Sequence, residues 1–440
     1  MDWKRIISIV TIVCSLHITA KSQQMITLQE AIAAGLNKNY DILLLSNDSA
    51  AAATDQRYIY GAFLPNLNAT AGTLWSTSAQ KQKYDTRDDV EGSGIKTDNI
   101  NAALNLNWTL FDGLKMFTTK QKVEELYNLG RINLKNQVVN TTAEIINNYY
   151  LIVRQKQLLK AIEEQMSINE ERVKLADRKL SVGLGTKPEL LQAKVDLNAQ
   201  KAAHLQQQTT MLQLRDRLNQ LTGMQLPAVY EVADSIPLNL DMNISEIENQ
   251  IETTNPTILQ ALKNADIAKI SLKEAKASRW PVVSFVSAYS FTRNENQNNI
   301  SPFASTFSRN KGYNFGFTAA IPILNNLSVN RNIRQAKLDV EYQDIAVSKQ
   351  MSLVNVWVKV AYNSYLYQIS ALTLEEENIE LAKENVMIAL ERFRQGVSTF
   401  LELREAQKSL EEAYDRLIAA RYNTKLSETE LLRLKGEIIK

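Results

Sequence analysis

Cysteine is nearly missing from this chain, which has only Cys14, and histidine is limited to His17 and His204. That scarcity excludes a disulfide framework, zinc sites of Cys and His, and Ser-His-Asp or Cys-His catalysis. Chain-breaking residues are also few, with 14 glycines and 8 prolines among 440 residues. None falls between Arg131 and Val182 or between Ile323 and Gln395. Basic and acidic side chains nearly balance, at 50 and 48, so no positive excess recommends nucleic acid as a partner. Beyond the N-terminal segment, no stretch holds the roughly 20 apolar residues that a membrane-crossing helix requires. Any entry into a membrane must then be made by strands.

Residues 1–22 read as a secretory signal. Lys4 and Arg5 precede an apolar run from Ile6 to Ile18, and Ala20 and Ser22 supply the small residues for cleavage before Gln23. Cys14 would leave with this segment. Val13 stands before it where a lipidation site wants Gly or Ala, so no lipid anchor is expected. The remaining chain carries equal numbers of acidic and basic side chains, and His204 lies in a polar helical stretch that reads as surface.

What is present is a duplication with a period of about 213 residues. Gly183 answers Gly396, Glu189 answers Glu402, Tyr149 answers Tyr362, and Leu221 and Gly223 return as Leu434 and Gly436. The boundaries expected are a first repeat over 23–223, a connector over 224–244 lying against the outside of the helices, and a second repeat over 245–440. Ser245 reads as the N-cap of the helix opening that second copy, with Glu248 three residues on.

Each copy holds two segments of period two. Ala102, Leu104, Leu106, Trp108 and Leu110 alternate with asparagines and Thr109, and a weaker alternation runs from Leu67 to Trp75. Val283 to Phe291 and Tyr313 to Ile321 repeat the pair, and hydrophilic loops are expected over 80–97 and 293–312. Strands polar on one face and apolar on the other match those of a membrane barrel. Trp75, Trp108 and Trp280, in or beside them, fit an aromatic girdle at the lipid interface.

Long helices follow, and at 1.5 Å per residue one of about 65 residues would run on the order of 100 Å. A seam of period 3.5 is expected at Leu159, Ile162, Met166, Asn169, Val173, Ala176 and Leu180. The second copy places it at Leu372, Glu375, Ile379, Ala382, Val386, Ala389 and Phe393. Return arms follow turns at Gly183–Pro188 and Gly396–Ser398. The return stripe of the second copy runs Leu403, Ala406, Leu410, Ala413, Leu417, Ala420 and Thr424. Four strands cannot close a barrel wide enough to pass solutes, and open edges are not tolerated in lipid, so cyclic association is required.

The paired tips Arg178-Lys-Leu-Ser-Val-Gly183 and Arg392-Phe-Arg-Gln-Gly396, with Leu-Phe-Asp-Gly at Leu110 to Gly113, resemble the TolC family of outer-membrane efflux proteins. The likeness covers essentially the whole chain after the signal. It implies an α+β membrane protein: a homotrimer whose 12-stranded β-barrel, four strands per chain, continues into a periplasmic coiled-coil tunnel. It implies a passive exit duct with an inner-membrane pump and a periplasmic adaptor as partners, and neither cofactor nor covalent chemistry. The adaptor would meet the tips at Ser181, Val182, Gly183, Leu184, Gln395, Gly396, Val397 and Ser398.

Glu402 and Glu405 are three apart and share a helix face. In the family the matching positions are often acidic and line the periplasmic constriction, and Glu189 could join or support such a ring. Members that lock the closed tip use Arg and Tyr where this chain has Ser398 and Phe393. Arg392, Arg394 or Arg404 pairing with the acids would replace them. The other reading is a periplasmic coiled-coil adaptor or scaffold. Two hairpins and few strands count against it, and no cleft-forming domain suggests an enzyme.

Overall fold

The computed structural model describes residues 24–86, 88–227, 230–299 and 304–438. The expected signal segment and Cys14 lie outside them. In chain order the elements begin with β1 (Gln24–Met25), α1 (Leu28–Lys38), α2 (Tyr40–Tyr58), a 3-10 turn (Ile59–Phe63), β2 (Asn66–Gln82) and β3 (Val90–Phe111). There follow α3 (Lys115–Ser181), α4 (Lys187–Leu221), β4 (Tyr230–Glu231), α5 (Ile244–Thr254) and α6 (Pro256–Ala277). The last are β5 (Val282–Gln297), β6 (Phe307–Ala320), α7 (Ser328–Arg394) and α8 (Phe400–Lys435). They form two compact units. One takes the chain up to Asn47, Ile132–Leu259 and everything from Gln350; the other takes Asp48–Arg131 and Gln260–Lys349. Each unit draws on both copies of the repeat.

The second unit is built on an antiparallel sheet of order β2-β3-β5-β6. Directly paired residues project to the same side, so the register sorts the faces. Leu67, Ala69 and Ala71 pair with Leu106, Leu104 and Ala102. Those lead on to Ser287, Tyr289 and Phe291, and then to Phe315, Tyr313 and Lys311. The opposite side carries Asn68, Thr70, Asn101, Asn105, Asn107, Ser284, Ser290, Asn314 and Thr318. The alternation read from the sequence is therefore the alternation of the sheet. The expected loops are shorter than anticipated: β3 begins at Val90, β5 reaches Gln297 and β6 starts at Phe307. Polar residues extend the ladder past the apolar band because backbone pairing, not burial, holds them there. Beyond β3, Asp112 of the Leu-Phe-Asp-Gly motif accepts the Met116 N–H at 2.9 Å through Oδ2, satisfying a free donor at the start of α3.

In the first unit the core gathers Ile26, Ile145, Tyr149, Ile152, Leu218, Tyr230, Val232 and Ile236. The connector contributes to this core. It buries Tyr230 and Val232 and pairs β4 in parallel with β1. The Tyr149 hydroxyl donates to Ile26 O at 2.9 Å and accepts the Ala233 N–H at 3.2 Å. In the second copy Tyr365, rather than Tyr362, takes the comparable buried place and donates to Asn239 O at 2.7 Å. Asn243, not Ser245, caps α5.

The repeated Leu-x-Gly has a tertiary reason. Asn39 and Asn255, both buried, donate to Leu221 O and Leu434 O at 2.9 and 2.7 Å. Their Oδ1 atoms accept the first N–H groups of α2 and α6. Each asparagine thereby closes the end of a return helix and opens the next helix. The seam of α7 holds as read: Leu372, Ile379, Val386 and Phe393 are buried, with Ala406, Leu410, Ala413 and Leu417 of α8. In α3 Asn169 and Ala176 of the expected seam are buried, but with Ala161, Gln165 and Arg172, while Ile162, Met166 and Val173 are only half-buried. A polar stripe replaces the expected apolar one.

Candidate functional site: the hairpin tips

The two tips are built alike. Gly183 and Gly396 hold φ at +78° and +77°, a left-handed conformation that ends a helix at little cost only for glycine. Leu184 N–H reaches Lys179 O at 2.8 Å, and Val397 N–H reaches Arg392 O at 2.9 Å. Ser181 Oγ donates to Arg178 O at 2.8 Å. Val182, Leu184 and Val397 are exposed, at 67%, 82% and 67%, and Gln395 is exposed beside them. Of the expected contact residues Ser398 alone is buried within the chain.

The reason is its hydroxyl, which donates to Glu402 Oε2 at 2.7 Å. Glu402 occupies the first turn of α8, where its N–H donates to the Thr399 cap at 3.2 Å. The Ser398 hydrogen bond, the nearby Arg392 charge and Thr399 together hold its carboxyl below the usual glutamate range. Glu405 lies one turn on, exposed on the same face. Glu189 is engaged differently: its Oε2 accepts the Thr186 N–H at 3.3 Å, turned back on the start of α4. The three carboxylates share one end of the hairpins, but only Glu402 and Glu405 share a helix.

None of the arginines proposed to hold these acids makes an ion pair with them. Arg394 meets Glu391 at 3.7 Å, and Arg404 Nε meets Asp196 Oδ2 at 3.2 Å. Arg392 acts on Glu402 only through its charge. The ties between the hairpins come from residues that sequence reasoning passed over. Lys179 Nζ donates to Phe393 O at 2.8 Å and lies 3.8 Å from that ring's centroid. Arg172, fully buried, donates to Gln407 Oε1 at 2.7 Å and Asp196 Oδ2 at 2.6 Å, with its guanidinium 5.1 Å from the Phe400 ring centroid. The available signal was the polar run Gln165, Asn169, Arg172 interrupting a heptad seam. His204 meets Glu163 at 3.2 Å on the surface side of α4. Among the described residues no group of His, Cys, Asp and Glu could hold a metal ion.

In the second unit Trp75 is paired with Asp98, Trp108 lies ten residues further along β3, and Trp280 stands beside Gly113 just ahead of β5. Trp75 and Trp280 are exposed, and Trp108 Nε1 donates to Phe63 O at 2.9 Å. The tryptophans therefore fall in two rows rather than one girdle.

The family model described as outer membrane efflux protein matches residues 37–224 and 248–437. Among named relatives, the probable efflux pump outer membrane protein TtgC of Pseudomonas putida is 23% identical over 424 residues, covering 93% of this chain and 82% of that protein. The outer membrane protein TolC of Salmonella enteritidis is 19% identical, covering 79% of this chain and 71% of that protein. Among solved structures, the outer-membrane channel OprN superposes with a TM-score of 0.77 at 19% identity, covering 93% of this chain and 90% of OprN. VceC of Vibrio cholerae superposes with a TM-score of 0.76 at 15% identity, covering 93% and 96%.

Proposed function

The chain belongs to the outer membrane efflux protein family, and we propose that it works as a homotrimer, the passive exit duct of a tripartite assembly whose energy comes from a partner pump. It is an outer-membrane channel, as the family is, and the periplasmic scaffold reading is not favoured. The observation that carries the trimer is a second set of heptad stripes that none of the described residues covers. On α4, Leu191, Val195, Leu205 and Leu212 are exposed; on α7, Val360, Tyr367, Leu374, Leu381 and Ile388 are exposed. Leu191, Leu205 and Leu212 stand as many residues after Gly183 as Ile388, Leu374 and Tyr367 stand before Gly396. Lys179 and Phe393 keep the tips level within one chain, and a rotation about a pore axis preserves height. The α4 of one copy then meets the α7 of the next in register, a head-to-tail contact that closes a ring.

The sheet supports the same closure. Its edge strands β2 and β6 have no further partner among the described residues, and its apolar face is open. Three copies supply twelve strands, an even number suited to a barrel. At the tips, Glu402 and Glu405 from three copies form the constriction, with Glu189 supporting it by capping α4. Val182, Leu184, Gly183, Gly396, Gln395 and Val397, with Ser181 beside them, are the adaptor's landing surface. Removal of residues 1–22 and the repeat boundaries at 23–223, 224–244 and 245–440 belong to the same proposal. The test is a Leu205→Cys/Leu374→Cys protein in native membranes. Oxidation should give covalent dimers and trimers on a denaturing gel, while either single variant gives none. Absence of cross-linking in a folded double variant overturns the ring.

A further inference from the structure

A cavity of about 480 Å3 opens between α3, α4 and α8, inward of the tips. Gln165, Asn169, Arg172 and Gln407 line it, each more than nine-tenths buried. Arg172 uses Nη1 on Gln407 and Nη2 on Asp196, but its Nε–H has no partner. The Nε2 groups of Gln165 and Gln407 have none either. Buried N–H donors are almost always satisfied, and here three belong to residues lining one space, where the Gln200 Oε1 acceptor is unmet as well. Asp196 is the single carboxylate between two guanidiniums, Arg172 at 2.6 Å and Arg404 at 3.2 Å. At the rim, Glu405, Lys408 and Glu411 are exposed and screened by water, and Glu411 accepts from Gln200 at 3.1 Å. Arg404 is itself exposed, so the buried part pairs Arg172 with Asp196 and is left with three unmet donors.

We propose that this cavity binds one monovalent anion, a halide or a small carboxylate, held by Arg172 Nε–H and the amide nitrogens of Gln165 and Gln407. The space accepts such an ion together with several waters, each taking about 30 Å3. The anion would tie α3 and α4 to α8, joining the first hairpin to the return helix of the second. The duplication gives no twin: at the repeat spacing Arg172 answers Asn385 and Asp196 answers Ser409. One site per chain follows. The inference is independent of the efflux reading, since it concerns packing within one chain.

Two measurements on the full detergent-purified protein test it. In crystals soaked in bromide, anomalous scattering should place an ion within hydrogen-bond distance of Arg172 Nε and both glutamines in the wild type. Gln165→Leu/Gln407→Leu should lose it. Water alone in the wild type, or an ion retained in the double variant, overturns the proposal. In solution at fixed ionic strength, replacing bulky gluconate by chloride or formate should raise the unfolding temperature of the wild type but not of the double variant. Equal temperatures in all three salts overturn it, and a rise in formate alone assigns the site to carboxylates. Arg172→Lys, which keeps the charge and lacks the Nε–H, provides the same comparison should the double variant fail to fold.

Discussion

Glu402 shows how much one hydroxyl decides. Its carboxyl is exposed, and the Ser398 hydrogen bond is the largest cause of its lowered pKa, ahead of Arg392 and Thr399. A group lowered in this way keeps its charge, and the interactions that depend on it, above the unfolded value. It loses them as pH falls through the folded one. In planar bilayers the wild-type channel should prefer cations, and Glu402→Gln/Glu405→Gln should remove most of that preference; unchanged selectivity would sink the constriction reading. Ser398→Ala should move the acid-side loss of selectivity to higher pH, with conductance at neutral pH retained. The pair Glu402 and Glu405 was legible because three-residue spacing on a helix needs no tertiary knowledge. Arg172 was not, since Asp196 and Gln407 reach it only after the hairpins pack. A buried arginine has no signature of its own beyond breaking an apolar seam.

The repeat fixes its elements by glycines that look equivalent in sequence and differ in surroundings. Gly396 and Gly223 share a left-handed backbone, at φ +77° and +67°. A Cβ on Gly396 would meet open space, whereas on Gly223 it would strike the Lys38 carbonyl oxygen at the joint organised by Asn39. Gly396→Ala should cost about 1 kcal/mol, the conformational penalty alone. Gly223→Ala adds a backbone collision and should cost roughly 3 kcal/mol or more. Urea unfolding in detergent with fluorescence detection separates the two, and equal losses would show that the joint yields freely. The strands and the α7–α8 seam could be read ahead of the structure because periods of 2 and 3.5 are carried by side chains that pack. Strand ends could not, because Ser78 to Gln82 and Val90 to Lys96 pair through backbone and a Lys81–Glu91 ion pair, without an apolar alternation to read. Nor could the asparagine joints, since Asn39 and Asn255 look like ordinary helix breakers until Leu221 and Leu434 arrive.

At the scale of the whole molecule, the membrane decides what the sheet's exposed apolar face means. Trp108 and Asp98, the partner of Trp75, are ten residues apart on β3, about 33 Å at ~3.3 Å per residue. With the tilt of 35–45° usual for barrel strands, this becomes a height of about 25 Å, the thickness of the apolar band of such barrels. Between the two rows lie Leu104, Tyr289, Phe291 and Phe315, and Phe285 and Phe317 continue the Trp108 row. The apolar face turns charged at Lys311 and at the paired Arg293 and Arg309, just short of Trp75, as headgroup contact requires. Trp75 and Trp108 should therefore lie at opposite interfaces of one bilayer. In single-tryptophan proteins reconstituted with lipids brominated at different depths, both should be quenched most by bromines near the headgroups and least by those at the midplane. A Trp75 untouched by any lipid position would place it in water. That result would move the outer belt inward to Tyr289 and Tyr313, leaving a band too thin for the full length of these strands to be membrane-embedded. The closure of three such sheets would then have to rest on the helical stripes of α4 and α7 rather than on lipid-facing strands.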